Sequence, residues 1–191
     1  MVSRALIFLV ETAFGLFVVA LLLRFYLQWA QAPYRNPLSA FLQALTDFMV
    51  RPARRVVPGL WGLDLASLVL AWLLQLAEIV IVLQIRGYQT GPEAGLAIVG
   101  IGLLALVALV RIALYILMAA VIVQVVLSWV GSYSPLAPLI GSMTRPFLRP
   151  FQRRIPPIGN VDLSPLFLLV AVQLLLILPV AWAEASLMRL L

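Results

Sequence analysis

The chain contains no cysteine and no histidine. Without cysteine it can form neither a disulfide nor a thiolate metal site, and it has no thiol nucleophile. Without histidine it lacks the commonest general base and the usual ligand of haem and transition metals. An enzyme of this composition would depend on aspartate or serine, and Asp64 and Asp162, which each precede a hydrophobic run, are better explained as helix caps. We therefore expect no catalytic site, no cofactor and no metal.

Charge is scarce, because charged residues make up 10% of the chain and hydrophobic residues 64%. Lysine is absent, so the 13 basic residues are all arginines, and they give a net charge of +6. The hydrophobic residues form long uninterrupted runs, which are typical of membrane-spanning helices. The sequence therefore predicts an integral membrane protein of the all-α class.

Four hydrophobic runs are predicted to span the membrane, at about residues 5–29, 65–85, 105–130 and 166–185. The whole of 94–130 is too long for one upright crossing, since a helix of that length extends about 55 Å and the hydrocarbon core is about 30 Å thick. We interpret 94–104 as an apolar lead-in that either lies in the membrane interface or extends a tilted third span. A fifth span is the alternative.

The chain repeats itself at an offset of 98 positions. The repeat predicts two tandem helical hairpins, residues 1–92 and 93–191, with basic loops at 30–64 and 131–165. Trp29 and Trp129, which suit the aromatic belt of a membrane protein, match at an offset of 100. The residues shared at 98 are Pro37/Pro135, Thr46/Thr144, Arg51/Arg149, Pro52/Pro150, Arg55/Arg153, Pro58/Pro156 and Asp64/Asp162.

Each basic loop is predicted to contain a short amphipathic helix. Asn36-Pro37 and Ser134-Pro135 are helix starts, because the polar side chain caps free N–H groups and proline tolerates the first helical position. Pro52 is expected to end the first helix. Beyond the second helix, prolines and Gly159 turn the chain, and Ser164-Pro165 starts the last span. Apolar residues at helical spacing are Leu38, Phe41, Leu42, Leu45 and Met49, then Leu136, Leu139, Ile140 and Met143. Each helix lies either in the membrane interface or against the spans as core.

The loops also hold most of the arginines, which are Arg35, Arg51, Arg54 and Arg55 in the first and Arg145, Arg149, Arg153 and Arg154 in the second. Short loops rich in arginine stay on the cytoplasmic side, and with four spans both loops lie on that side. Each arginine near the surface attracts anionic lipid by about 1 kcal/mol. We therefore expect anionic lipid as a partner and no nucleic acid.

Polar residues inside the spans form a second set of candidates. Glu11 and Arg111 occupy equivalent positions in the first and third spans, so they could form an ion pair, or each could reach a membrane face. Gln75 and Glu78 could bind a proton or cation, or could hold helices together. Gln173 matches Gln75 in the second copy, and Arg24, near the end of its span, is expected to reach toward the lipid surface.

The two motif loops resemble the repeat of YggT-type integral membrane proteins. The shared pattern is Trp, then Asn-Pro-Leu or Ser-Pro-Leu, then Thr-x4-Arg-Pro-x2-Arg-x2-Pro, then Gly-x2-Asp-x-Ser-Pro, and the second copy carries all of it. The first copy has Ala66-Ser67 in place of the last Ser-Pro. The resemblance implies a small bacterial membrane protein with associations to osmotic stress and cell division, and an assembly factor for haem attachment among chloroplast relatives.

These observations lead to two functional hypotheses. The first is a scaffold or assembly protein of the bacterial inner membrane, whose cytoplasmic arginines bind anionic lipid and a membrane or cytoplasmic protein, with a second copy of the chain as a further partner. The second is an ion channel or small transporter lined by the intramembrane polar residues.

Overall fold

The computed structural model describes residues 1–33, 36–59, 62–88, 94–130, 136–155 and 162–189, and of 94–96 and 129–130 it describes the backbone only. The regular elements of the described part are all helices. Its helices are α1 (Val2–Trp29), α2 (Pro37–Ala53), α3 (Leu65–Ile85), α4 (Ala94–Val130), α5 (Ala137–Gln152), α6 (Ser164–Leu175) and α7 (Ala181–Met188), with a π-helical segment, Leu176–Val180, joining α6 to α7.

Four helices are long and apolar enough to cross a membrane, as predicted. They are Val2–Trp29, Leu65–Ile85, Ala97–Ser128 and the continuous Ser164–Met188. The protein is therefore a multi-pass membrane protein with two helical hairpins, α1–α3 and α4–α7, and a shorter helix within each connection.

The apolar lead-in belongs to the third span. Helix α4 runs without a break through 37 residues, so 94–104 extends the span that follows and forms no separate crossing. At 1.5 Å per residue this helix is about 55 Å long, well beyond the hydrocarbon thickness, and it crosses the membrane tilted or projects from it. Of the two interpretations of the lead-in, extension of the third span is the one that the structure shows.

The spans pack side by side in chain order. Helix α1 packs along α3, α3 packs against α4, and α4 packs against α6 and α7. One apolar cluster joins Val18, Leu21 and Ala71 of the first hairpin to Leu109 of α4. A second cluster joins Val121 of α4 to three residues of the last span, Leu168, Val172 and Leu176. Helix α4, the first span of the second hairpin, therefore also packs against the first hairpin.

Helices α2 and α5 lie at the same end of the bundle. Leu42 of α2 shares one apolar cluster with Leu139 and Met143 of α5. The Tyr26 hydroxyl of α1 donates a hydrogen bond of 2.6 Å to the Met143 carbonyl, which ties the two repeats together. Because both loop helices pack into this one cluster, their arginines lie at the same end of the bundle.

The two loop helices pack on the spans. This is one of the two locations predicted for them from their apolar faces. In α2 the buried side chains are Leu42, Thr46 and Val50, while the predicted core residue Phe41 is 61% exposed. In α5, Leu139 and Met143 are buried as predicted, and Thr144 and Leu148 are buried as well. The buried face is thus rotated toward the threonines, because both threonines hydrogen-bond to the first or third span.

The predicted starts and ends of the loop helices are confirmed in part. The Asn36 side chain accepts the Ser39 N–H at 2.7 Å, and Pro37 is the first helical residue. Pro52 does not end α2, because the helix continues to Ala53, and α5 likewise contains Pro150. A proline in the last turn removes one hydrogen bond without stopping the helix there. The predicted start Ser134-Pro135 lies outside the described residues.

Candidate functional site

The best-defined polar site of the protein is centred on Arg24, near the loop end of α1. The guanidinium is buried, with 10% of the side chain exposed, and it lies 2.7 Å from an Asp47 carboxylate oxygen and 3.3 Å from Asp64. It also donates a hydrogen bond of 2.8 Å to the Thr46 hydroxyl. Arg24 therefore links α1 to the loop helix and to the start of α3, and the expectation that it reaches toward lipid is wrong.

Two further arginines complete this network. Arg54 reaches the Asp64 carboxylate at 2.6 Å, and Arg51 reaches Asp47 at 2.8 Å. The Ser67 hydroxyl donates to Asp64 at 2.8 Å. Asp64, predicted as a helix cap, makes no capping hydrogen bond to a backbone N–H. It acts instead as the shared anion of Arg24 and Arg54.

The pKa values of both carboxyls reflect these contacts. Hydrogen bonds from Arg24, opposed by burial and helped by Arg51, hold the pKa of Asp47 below its usual range. Burial raises the pKa of Asp64, but hydrogen bonds from Arg54 and Ser67 outweigh it, so this pKa is also lowered. Both groups are therefore carboxylates at neutral pH, and the network has three cations for two anions.

A cavity of about 300 Å³ opens beside this network, lined by Arg24, Arg51, Arg54, Asp47 and Gln28 among others. Its three guanidiniums and one carboxylate give the wall a net positive charge. Such a wall suits a phosphate or carboxylate group, because guanidinium presents paired N–H donors to either.

The second repeat builds the same site without the buried charges. Thr144 donates a hydrogen bond to the side-chain oxygen of Gln124, where the first repeat has Thr46 and Arg24. Gln152 donates to Asp162 at 2.9 Å, where the first repeat has Arg54 and Asp64. Burial raises the pKa of Asp162, but hydrogen bonds from Ser164 and Gln152 lower it by more. The pKa of Asp162 therefore lies below its usual range. The Arg24–Thr46 and Arg54–Asp64 links of the first copy are thus glutamine links in the second.

The predicted motif residues occupy three kinds of position. Trp29 is 43% exposed and stacks on Tyr26, as a residue of an aromatic belt would. Ser164 is buried at the start of α6, and Pro165 follows it within the first turn. Exposed motif residues are Pro37, Arg51, Pro52, Arg55, Pro58, Arg149, Pro150, Arg153 and Asp162. Arg35, Ser134, Pro135, Pro156 and Gly159 lie outside the described residues, as does the side chain of Trp129.

The intramembrane polar residues meet at the other end of the bundle. Glu11, Gln75, Glu78 and Arg111 line one cavity of about 190 Å³. Gln173 is not part of it, because this side chain is exposed on the outer face of α6. Three of the four spans thus bring their predicted polar residues together.

Arg111 pairs with a residue that sequence reasoning missed. Its guanidinium lies 3.0 Å from Glu184 of α7, and among the described residues no ion pair joins it to Glu11. The hypothesis of a Glu11–Arg111 pair is therefore wrong. Glu184 lies close to the chain end, where a charge commonly faces water, so the sequence carried no signal of its role.

The pairing of Arg24 with Asp47 was also missed, although the sequence contains an indication of it. The equivalent positions of the second repeat hold Gln124 and Arg145, so the arginine and its aspartate are lost together. A joint change of two opposite charges between repeats indicates that the two residues are partners. Within the described residues, no group of three or more Asp, Glu, His or Cys side chains could hold a metal ion.

Comparison with known proteins identifies the family. The family model for CCB3/YggT proteins matches residues 3–85 and again 103–183, once for each repeat. An uncharacterised protein of Pseudomonas aeruginosa is 38% identical over 175 residues, which cover 91% of this chain and 87% of that protein. The uncharacterised protein YggT of Escherichia coli K12 is 31% identical over 168 residues, covering 87% of this chain and 85% of its own. No solved structure matches the chain. The double match and these relatives show that the chain belongs to the CCB3/YggT family.

Proposed function

We propose that this protein is a scaffold of the bacterial inner membrane that binds anionic phospholipid at its arginine surface and holds a partner protein there. The arginine surface consists of the exposed arginines at the loop end of the bundle, which are Arg51, Arg54, Arg55, Arg145, Arg149, Arg153 and Arg154. The proposal rests on one observation. Both groups of loop arginines lie at one end of the helix bundle, because α2 and α5, which carry or precede them, share an apolar cluster.

Most of this surface is available to lipid phosphate. Arg51 and Arg54 are held by Asp47 and Asp64. The other five arginines make no ion pair within the described part of the chain. At about 1 kcal/mol per arginine near the surface, five such side chains are sufficient to enrich anionic lipid around the protein. The attraction weakens as salt is added, because exposed charges are screened.

An apolar groove near the same end supports a lipid as the bound molecule. The groove has a volume of about 530 Å³ and lies between α1, α3, α4 and α5, with Phe25, Trp29, Leu114 and Phe147 in its wall. It suits an acyl chain, whose head group would lie toward the loop helices. The same end thus offers both an anion site and a hydrocarbon site.

The alternative of an ion channel receives less support. Along α1 and α3, the buried apolar residues Val18, Leu21 and Ala71 separate the arginine network from the cavity lined by Glu78. A conducting path would have to cross this apolar layer.

Lipid selectivity in nanodiscs tests the proposal. The measurement is the fraction of spin-labelled phosphatidylglycerol, compared with spin-labelled phosphatidylcholine, that the protein immobilises. The wild type should prefer phosphatidylglycerol, and the triple variant Arg55→Gln, Arg149→Gln, Arg153→Gln should lose most of that preference. The matched control removes three arginines at the opposite helix ends, Arg4→Gln, Arg86→Gln and Arg189→Gln, and should keep it. Equal loss in both variants would mean that only net charge matters.

A photo-crosslinking residue at position 55 or 153 tests for the partner in cells. A discrete protein adduct that disappears when the same group is placed at position 86 supports a scaffold. If the loop positions capture lipid alone, the protein partner is refuted while the lipid site stands.

A further inference from the structure

The cavity at the end opposite the arginine surface is formed by all four spans. Glu11 comes from α1, Gln75 and Glu78 from α3, Arg111 from α4 and Glu184 from α7. Glu78 lies seven residues before the end of α3 at Ile85, which is about 10 Å along the helix axis. Arg86 and Met188, at the helix ends, also line the cavity, so it reaches the bundle end. Ionisable groups at such a depth inside a membrane protein usually serve a function.

A residue that lines this cavity carries an unsatisfied acceptor. Gln75 is buried, with 4% of its surface exposed, and its side-chain oxygen has no hydrogen-bond partner among the described residues. Buried carbonyl oxygens almost always have a partner, and one without a protein partner can accept a contact from a bound ion or water. The equivalent Gln173 of the second repeat is exposed, so the feature occurs in the first repeat alone.

Two carboxylates around the cavity make no ion pair within the described residues. Glu184 is engaged by Arg111 at 3.0 Å. Glu11 and Glu78 make no ion pair within the described residues. With Arg86 included, the lining has three carboxylates and two guanidiniums, a formal net charge of −1. One monovalent cation would neutralise it.

We propose that this cavity binds one small monovalent cation through the carboxylates of Glu11 and Glu78 and the side-chain oxygen of Gln75. Oxygen ligands of this kind suit hard cations and ammonium groups alike. The Arg111–Glu184 ion pair closes the α4–α7 side of the site and keeps a second cation out. The site is separate from the arginine surface, so it extends the proposed function without depending on it.

Thermal unfolding in an uncharged detergent tests the cation site. The chlorides of sodium, potassium and ammonium are compared with N-methyl-D-glucamine chloride at equal ionic strength. A cation at ten times its Kd should raise the unfolding midpoint of the wild type by about 3–6 °C. The cation with the largest shift identifies the ligand. Glu78→Gln and Gln75→Leu should abolish the shift, and the matched control Gln173→Leu should keep it.

Two outcomes would overturn the proposal. One is a wild type that unfolds at the same temperature in all four salts. The other is a cation shift that survives in Glu78→Gln. If Glu78→Gln does not fold, Gln75→Leu, which changes no charge, decides the matter by the same comparison. Because no lipid is present, failure here leaves the phosphatidylglycerol result untouched, and loss of that selectivity leaves this site standing.

Discussion

Arg24 and Gln124 stand at equivalent positions of the two repeats and contact equivalent threonines, but Arg24 alone is charged. Arg24 also joins Asp47 and Asp64, both of which lose a partner if it is removed. Gln124 accepts only from the hydroxyl of Thr144, which lies 2.9 Å from the Ile140 carbonyl and can donate there instead once Gln124 is removed. The two positions therefore contribute differently to the free energy of unfolding, although each contacts the equivalent threonine.

We predict that Arg24→Met lowers the free energy of unfolding by about 1.5–3 kcal/mol, the usual loss for hydrogen bonds to charged groups, because Asp47 keeps Arg51 and Asp64 keeps Arg54. Gln124→Met, the matched control, should cost about 0.5–1.5 kcal/mol, because it removes a single neutral hydrogen bond. Reversible unfolding in mixed detergent micelles measures both values. Equal costs would show that the charge of Arg24 contributes nothing beyond its hydrogen bond to Thr46.

The lowered pKa values of Asp47 and Asp64 predict an acid-sensitive network. An unfolded aspartate has a pKa of about 3.9, so the folded state binds these protons less tightly. The stability from the two groups is fully present above that pKa and is lost as pH falls through the lower folded-state values. The unfolding midpoint should stay level from neutral pH to about 5 and then fall. Asp64→Asn should start lower and fall less, and an unchanged acid decline in that variant would contradict the assignment.

At the scale of the element, the π-helical segment Leu176–Val180 decides where the end of the last span points. It contains Pro179, which cannot donate the hydrogen bond of a regular α-helix. Residues that follow a π turn are rotated by about 100° relative to an uninterrupted helix, since one residue advances an α-helix by that angle. Glu184 lies five residues after Pro179 and reaches Arg111 in this rotated position.

We predict that Pro179→Ala restores regular α-helix and separates Glu184 from Arg111. A double-mutant cycle with Arg111→Gln and Glu184→Gln should give a coupling of about 0.5–1 kcal/mol in the wild type and close to none in the Pro179→Ala background. Pro150→Ala, which changes a proline inside α5, is the control and should leave the coupling as it is. A coupling that persists without Pro179 would show that packing alone orients Glu184.

At the scale of the whole molecule, the two hairpins are parallel copies that face the same way. Val56 and Arg154 are equivalent exposed positions after the two loop helices, and Tyr88 is exposed at the other end of α3. Because α2 and α5 share an apolar cluster, the two loops lie at one end of the bundle, and we expect both on the same side of the membrane. The arginine content of both loops favours the cytoplasmic side.

Single cysteines test this topology cleanly, since the chain has none of its own. Val56→Cys and Arg154→Cys should react with a membrane-impermeant thiol reagent only after the cells are opened. Tyr88→Cys should react in intact cells. Labelling of either loop position from outside would contradict the parallel arrangement and with it the single arginine surface.

Composition and repetition were sufficient to predict the class of the protein. Four long apolar runs can only be buried in a membrane, and arginine-rich loops at a constant offset indicate two copies of one hairpin. The cap at Asn36 and the burial of Leu42 and Leu139 on the apolar faces of their helices also follow from short-range patterns, because they depend on residues within one or two turns.

The partners of the buried charges were decided by tertiary structure alone. Arg24 meets Asp64 across 40 positions, and Arg111 meets Glu184 across 73, and neither pairing is visible in the local pattern. Which charges meet depends on the rotation of each helix about its axis and on the π segment before Glu184, and apolar spans of nearly uniform hydrophobicity leave that rotation unspecified. Composition and periodicity thus determined that the chain has four apolar spans and two arginine-rich loops. Packing between helices determined that Glu11, Glu78 and Glu184 line one cavity at the end opposite those loops.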